Sequence, residues 1–82
     1  MYEHLALSDS GFLFDTRTGD TYSLNRSGTL LLRALMAGAS EAELVDRLVE
    51  TFEVDRPTAR RDVAQFLLRL RDLRLVGDAE AA

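Results

Sequence analysis

The stretch Gly11-Phe-Leu-Phe-Asp-Thr-Arg-Thr-Gly-Asp-Thr-Tyr-Ser-Leu-Asn25 decides how this chain folds. Phe12 and Phe14 alternate with Leu13, so the two aromatic side chains share one face of a predicted strand and the leucine lies on the other. A turn at residues 16–19 follows, and it ends on a glycine, which adopts left-handed backbone angles without penalty. The pattern predicts a β-hairpin that leads directly into a helix at Asn25.

The flanking segments complete a small sheet and three helices. Residues 4–8 predict a first strand, and residues 20–24 form the second arm of the hairpin, with Tyr22 and Leu24 on one face. Asn25, Ser40 and Asp55 are each suited to cap a helix, and apolar residues recur at helical spacing after each of them. The sequence therefore predicts an α+β, winged-helix-like fold, in which a three-stranded antiparallel sheet is followed by three helices.

Length and composition indicate one small domain. The chain has 82 residues, of which 46% are hydrophobic, and it contains no cysteine. We expect a single domain over residues 1–76 and a flexible C-terminal tail over residues 77–82, which are small and acidic. No apolar run approaches the roughly 18 residues of a membrane span, and the N-terminus lacks the features of a signal peptide, so we expect a cytoplasmic protein.

The chain offers no catalytic or ligand-holding constellation. His4 is the only histidine, and Asp62 and Asp72 would lie roughly 15 Å apart on one helix, too far to work as an acid/base pair. Neither a phosphate-binding glycine loop nor the ligand spacing of a calcium loop is found. The sequence predicts a binding module, without catalytic activity, cofactor or metal.

Two features indicate where a partner binds. A three-stranded sheet cannot close on itself, so its edge strands offer unpaired backbone to an incoming strand. The third helix is apolar beyond a single packing face, and six of the ten basic residues, all arginines, lie between positions 56 and 74. One flank of that helix carries Ala64 and Leu68 among arginines, and the opposite flank, with Phe66 and Leu73, could serve instead. The alternative is that these arginines bind no partner and only form a solvated helix face.

The order of these residues resembles that of the PqqD-like proteins, a family of small peptide-recognition domains. The resemblance covers residues 11–76 and rests on Asp15-Thr-x-Thr-Gly19-x-x-Tyr22-x-Leu24-Asn25, Gly28, Leu35-x-x-Gly38, Ser40-x-x-Glu43-Leu44-Val45-x-x-Leu48-x-x-x-Phe52-x-Val54, Ala59-x-x-Asp62-Val63-x-x-Phe66-Leu67-x-x-Leu70 and Leu75-Val76. It implies a domain that binds the leader segment of a precursor peptide in the biosynthesis of ribosomally made, modified peptides, and from the short length we expect a discrete protein rather than a fused domain. Pyrroloquinoline quinone and lasso-peptide pathways both use such domains, and the turn and the following Tyr-x-Leu-Asn look closer to the lasso type.

The resemblance also implies how the peptide is bound. The leader would add as a strand beside the third strand and would contact the third helix. We therefore predict peptide contacts from Thr21, Tyr22, Ser23, Leu24, Arg60, Val63, Ala64, Leu67, Leu68 and Arg71. The bound peptide would then be presented to a modifying enzyme, such as a radical S-adenosylmethionine protein or a leader protease.

Two alternative functions, DNA binding and oligomerisation, use the same predicted elements. A winged-helix DNA-binding regulator would place the third helix in the major groove. The net charge of −4 and the absence of lysine argue against nucleic acid as a partner, because nonspecific DNA affinity depends on clustered positive charge. An oligomerisation module would instead pair through the same edge strand, giving a homodimer.

Overall fold

A computed structural model describes residues 2–76, and it has the predicted order of elements. The strands are β1 (Leu5–Leu7), β2 (Phe12–Asp15) and β3 (Thr21–Ser23), followed by the helices α1 (Arg26–Met36), α2 (Glu41–Phe52) and α3 (Arg56–Asp72). The α+β prediction, with three strands before three helices, is confirmed. The predicted tail at residues 77–82 lies outside the described residues.

The sheet is antiparallel throughout, in the order β1-β2-β3. Leu13 and Asp15 of β2 face the helices and are buried, whereas Phe12 and Phe14 point to the opposite face and are exposed. The predicted alternation of β2 is confirmed. At the end of the hairpin turn, Gly19 has a φ of 81°, the left-handed conformation that the pattern required.

Each helix begins at the residue that the sequence indicates. The Asn25 side chain accepts a hydrogen bond from the Gly28 amide (2.8 Å), and Asp55 caps α3 through the Thr58 amide (3.2 Å). Ser40 and Glu43 form the predicted capping box, each side chain accepting from the other residue's amide. These side chains satisfy first-turn N–H groups that have no partner within the helix.

The helices bury one stripe each against the inner face of the sheet and against one another. The core of α3 consists of Ala59, Val63, Leu67 and Leu70. Leu32 of α1 is fully buried, whereas Phe66 of α3 is only half-buried. No helix in residues 2–76 is long and apolar enough to cross a membrane.

The chain after α3 turns back under the sheet. Arg74 has a φ of 60° and redirects the backbone, so that Leu75 and Val76 are buried. These two residues close the core from a bend that follows α3.

Candidate functional site

The outer edge of β3 presents unpaired backbone. The Asp15 amide donates to Asp20 O (2.9 Å) and the Leu24 amide donates to Gly11 O (2.8 Å). Because hydrogen-bonded pairs alternate along an antiparallel ladder, Tyr22 is the β3 residue whose N–H and C=O face β2. The N–H and C=O groups of Thr21 and Ser23 therefore point away from the sheet, toward the free edge.

A cleft of about 850 Å³ runs along this edge, between β3 and α3. Its walls come from the strand and the residues that follow it, from α3, and from the chain after α3, while Leu48 of α2 contributes to its floor. The lining residues are Thr21, Tyr22, Ser23, Leu24, Asn25, Ser27, Gly28, Leu31, Leu48, Asp62, Gln65, Phe66, Arg69, Leu70, Leu73 and Leu75. The predicted β3 residues thus all lie on the cleft.

The α3 residues predicted from the sequence do not line this cleft. Val63 and Leu67 belong to the buried core, and the exposed residues Arg60, Ala64, Leu68 and Arg71 lie on the other flank of the helix. At about 100° per residue, the stripe that does line it, Asp62, Phe66, Arg69 and Leu73, is on the opposite side of the core stripe. The structure brings β3 together with the second flank that the sequence analysis considered, and peptide contacts on the first flank stay a prediction.

The α3 wall of the cleft combines apolar surface with one positive charge. Phe66 is half-buried and Leu73 is 43% exposed, although both are large apolar residues. Arg69 stands between them in sequence, and among the described residues its guanidinium has no recorded ion pair, whereas Asp62 lies 3.6 Å from Arg61. The wall therefore suits an apolar segment that carries an acidic group.

Gly28 of α1 keeps the cleft open beside Phe66. A Cβ atom built on Gly28 would lie 3.7 Å from the Phe66 ring and 3.0 Å from Asn25 Oδ1, the helix cap. A side chain larger than methyl at this position would therefore displace the ring or the cap. The absence of a side chain at Gly28 therefore leaves space for both the Phe66 ring and the Asn25 cap at the wall of the cleft.

Hydrogen bonds from residues that flank the strands hold the C-terminal wall of the cleft in place. Arg17 Nη2 donates to Arg74 O (2.7 Å), and His4 Nε2 donates to Leu75 O (2.7 Å). Arg17 is in turn held by the buried Asp15 carboxylate, to which its backbone amide (2.9 Å) and its guanidinium (3.2 Å) donate. These donated hydrogen bonds keep the pKa of Asp15 below its usual range. These contacts were not predicted from the sequence, because Arg17 and Arg74 are 57 residues apart along the chain.

The open strand edge beside an apolar cleft leaves room for an extended chain. A family model described as Coenzyme PQQ synthesis protein D (PqqD) matches residues 11–76. The chain belongs to the PqqD family. The resemblance stated from the motifs is confirmed over the same residues.

Two solved structures are similar to this PqqD family member. One is TbiB1 in complex with the TbiA(beta) leader peptide, which is 31% identical over 90% of this chain and 87% of the TbiB1 chain, with a TM-score of 0.80. The other is lasso peptide synthetase B1 complexed with the leader peptide, which is 33% identical over 83% of this chain and 81% of that chain, with a TM-score of 0.71. No curated protein matches the chain in sequence.

Proposed function

We propose that this protein binds the leader segment of a precursor peptide and acts without catalysis of its own. The observation that carries the proposal is the open edge of β3, whose outward backbone groups border an apolar cleft. The leader would add as a strand beside Thr21–Ser23, and alternate side chains would enter the cleft against Phe66 and Leu73. Two similar proteins of the same family are known in complex with leader peptides, which supports this proposal.

The energetics require both the strand and the cleft. Two outward-facing residues with one N–H and one C=O each offer about four ladder hydrogen bonds, worth roughly 1 kcal/mol apiece. Association costs at least about 4 kcal/mol, so the ladder alone gives little net affinity. Each large apolar side chain buried in the cleft adds about 1.5–3 kcal/mol. Several anchors are needed to reach micromolar affinity, about −8 kcal/mol.

The bound leader would be presented to a modifying enzyme, such as a radical S-adenosylmethionine protein or a leader protease. Arg69 favours leaders with an acidic residue near the apolar anchors. The lasso-peptide class is favoured over pyrroloquinoline quinone biosynthesis, because one of the two similar structures is a lasso peptide synthetase B1 complexed with the leader peptide.

Fluorescence anisotropy with labelled leader peptides tests the proposal. The probes are the TbiA(beta) leader and leaders from short reading frames beside the gene for this chain, with random duplex DNA as the control. We expect micromolar or tighter peptide binding that persists at about 0.3 M salt, because apolar and backbone contacts resist screening. Binding to DNA alone, lost at that salt, would instead support the winged-helix regulator.

A matched pair of variants identifies the flank of α3 that binds. Leu73 and Leu68 are similarly exposed, at 43% and 49%, but only Leu73 lines the cleft. We expect Leu73→Gln to weaken leader binding about tenfold, the equivalent of roughly 1.4 kcal/mol, and Leu68→Gln to leave it unchanged. The reverse result would favour the flank with Arg60 and Arg71.

A further inference from the structure

The outer face of the sheet, on the side away from the helices, is uncharged and partly aromatic. Its described strand positions are Ala6 of β1, Phe12 and Phe14 of β2, and Thr21 and Ser23 of β3. Phe12 is 56% exposed and Phe14 is 42% exposed. An antiparallel sheet with one solvated face ordinarily carries polar residues there, so two aromatic side chains at alternate positions of the central strand need an explanation.

The register places each phenylalanine directly behind a small residue of the edge strand. Phe12 is opposite Ser23, and Phe14 is opposite Thr21. Both pairs are of the type without direct hydrogen bonds, in which the side chains are closer together. Serine and threonine side chains are short, and Phe12 and Phe14 remain 56% and 42% exposed beside them.

A strand added at β3 would lie within reach of these rings. Neighbouring strands are about 4.8 Å apart, so the added strand would run about 10 Å from β2. A large side chain opposite Ser23 or Thr21 projects onto the outer face, and aromatic or long side chains can meet across such a gap above a small residue. A short side chain at the same position would leave the ring exposed.

We propose that Phe12 and Phe14 form a second contact for the bound peptide, on the face of the sheet opposite the cleft. This inference rests on the proposed function, since it uses the same added strand. A peptide strand points alternate side chains to opposite faces, so the residues opposite Thr21 and Ser23 face Phe14 and Phe12, and the residue between them enters the cleft. The preferred ligand is therefore a peptide with three consecutive large apolar residues at this point.

The peptide strand is favoured over a separate protein as the occupant because Phe12 and Phe14 lie only one strand away from the edge that the added strand would occupy. On the outer face, only Ser23 lies between Phe12 and that edge, and only Thr21 lies between Phe14 and the same edge. On the other side of β2, Phe14 is paired with Ala6 of β1, and the alanine side chain is too small to cover the ring.

Double-mutant cycles test this inference. The probe is whichever leader peptide binds the wild-type chain in anisotropy, with each of its residues replaced in turn by serine. The protein variants are Phe12→Thr and Phe14→Thr, which keep a β-favouring residue in the strand, and Ala42→Gln serves as an exposed control on α2, away from the cleft. Circular dichroism establishes that each variant is folded.

We expect each phenylalanine variant to weaken binding about fivefold and the Ala42 control to bind like the wild type. Two peptide positions, separated by one residue, should lose their sensitivity to serine in the Phe12→Thr and Phe14→Thr backgrounds. The position between them should keep its sensitivity in both backgrounds, since it faces the cleft.

Unchanged affinity of both folded variants for a peptide that binds the wild type would overturn the inference and leave the proposed function intact. Loss of a homodimer in sedimentation, with peptide affinity unchanged, would overturn it as well and assign the aromatic face to self-association. If the wild type binds no leader peptide, both the inference and the proposed function fail.

Discussion

Among the glycines of residues 2–76, Gly11 has the least room for a side chain. Its φ is 91°, and a Cβ atom built there would lie 2.7 Å from Leu24 O and 2.8 Å from Thr29 Oγ1. Its carbonyl also accepts the hydrogen bond from the Leu24 amide that closes the ladder between β2 and β3. The absence of a side chain at Gly11 therefore allows the start of β2 to pack closely against Leu24 and the first turn of α1.

Gly11→Ala should destabilise the protein more than Gly19→Ala does. Gly19 also has a positive φ, 81°, but a Cβ there meets nothing within 4 Å. We expect Gly19→Ala to lower the free energy of unfolding by about 1 kcal/mol, from backbone strain alone, and Gly11→Ala to lower it by about 3 kcal/mol, because steric overlap is added. Urea denaturation measures both, and equal losses would contradict the close approach.

Asp15 gives the fold a specific dependence on acid. Hydrogen bonds donated by the Arg17 side chain, followed by its backbone amide, lower the pKa of Asp15 in the folded state. An unfolded aspartate has a pKa of about 3.9 and so binds a proton at a pH where folded Asp15 does not, which makes stability rise with pH over that interval. The contribution is fully present above about pH 4 and is lost as the pH falls through the folded pKa.

Asp15→Asn should therefore flatten the loss of stability below about pH 4. Thermal unfolding from pH 7 to pH 2 measures it, with Asp9→Asn as the exposed control. The variant keeps a residual slope, because Glu43 and Asp55 also have lowered pKa values, each from hydrogen bonds at a helix cap. A slope identical to that of the wild type would show that the Asp15–Arg17 contact does not contribute.

At the scale of the element, the proposed addition of a peptide strand depends on the free edge of β3. Proline is tolerated on an edge strand where its missing N–H would have faced solvent, and the Ser23 amide points to the free edge. We expect Ser23→Pro to remain folded and to weaken leader binding about tenfold, since it removes one ladder hydrogen bond and places a ring in the path of the added strand. Ser23→Ala, which keeps the amide, should bind like the wild type.

Anisotropy titrations and far-ultraviolet circular dichroism together decide this prediction. Full affinity in a folded Ser23→Pro variant would contradict strand addition at β3. Loss of both affinity and helicity would be uninformative about the edge, and Thr21→Pro, at the other outward-facing residue of β3, then provides the same test at an independent position.

The elements were predictable because their signals are local. Asn25, Ser40 and Asp55 cap helices through contacts three residues away, and the β2 alternation lies within four residues. The face of α3 that borders β3 was not predictable, because α3 is apolar on more than its core stripe. Periodicity identifies Val63 and Leu67 as core but cannot say which flank adjoins a strand some forty residues earlier. That choice is set by how α3 docks on α2 and the sheet.

At the scale of the whole molecule, Arg17 connects the hairpin turn to the wall of the cleft. Its guanidinium joins the buried Asp15 carboxylate to Arg74 O, next to Leu73 and Leu75, which line the cleft. Arg17 itself does not line the cleft. Its contribution to binding would therefore be indirect, through the position of the chain after α3.

Arg17→Met should loosen the C-terminal wall and weaken leader binding without touching the peptide. Methionine keeps most of the aliphatic stem but cannot donate hydrogen bonds to Asp15 or Arg74. We expect faster amide hydrogen exchange at residues 73–76 and about fivefold weaker leader binding, because a wall that must be ordered on binding adds an entropic cost. Arg33→Met is the control, since Arg33 pairs with the exposed Asp9 at 3.5 Å, away from the cleft. Faster exchange with unchanged affinity would show that the Arg17 hydrogen bonds hold the wall in place but that leader binding does not depend on these bonds.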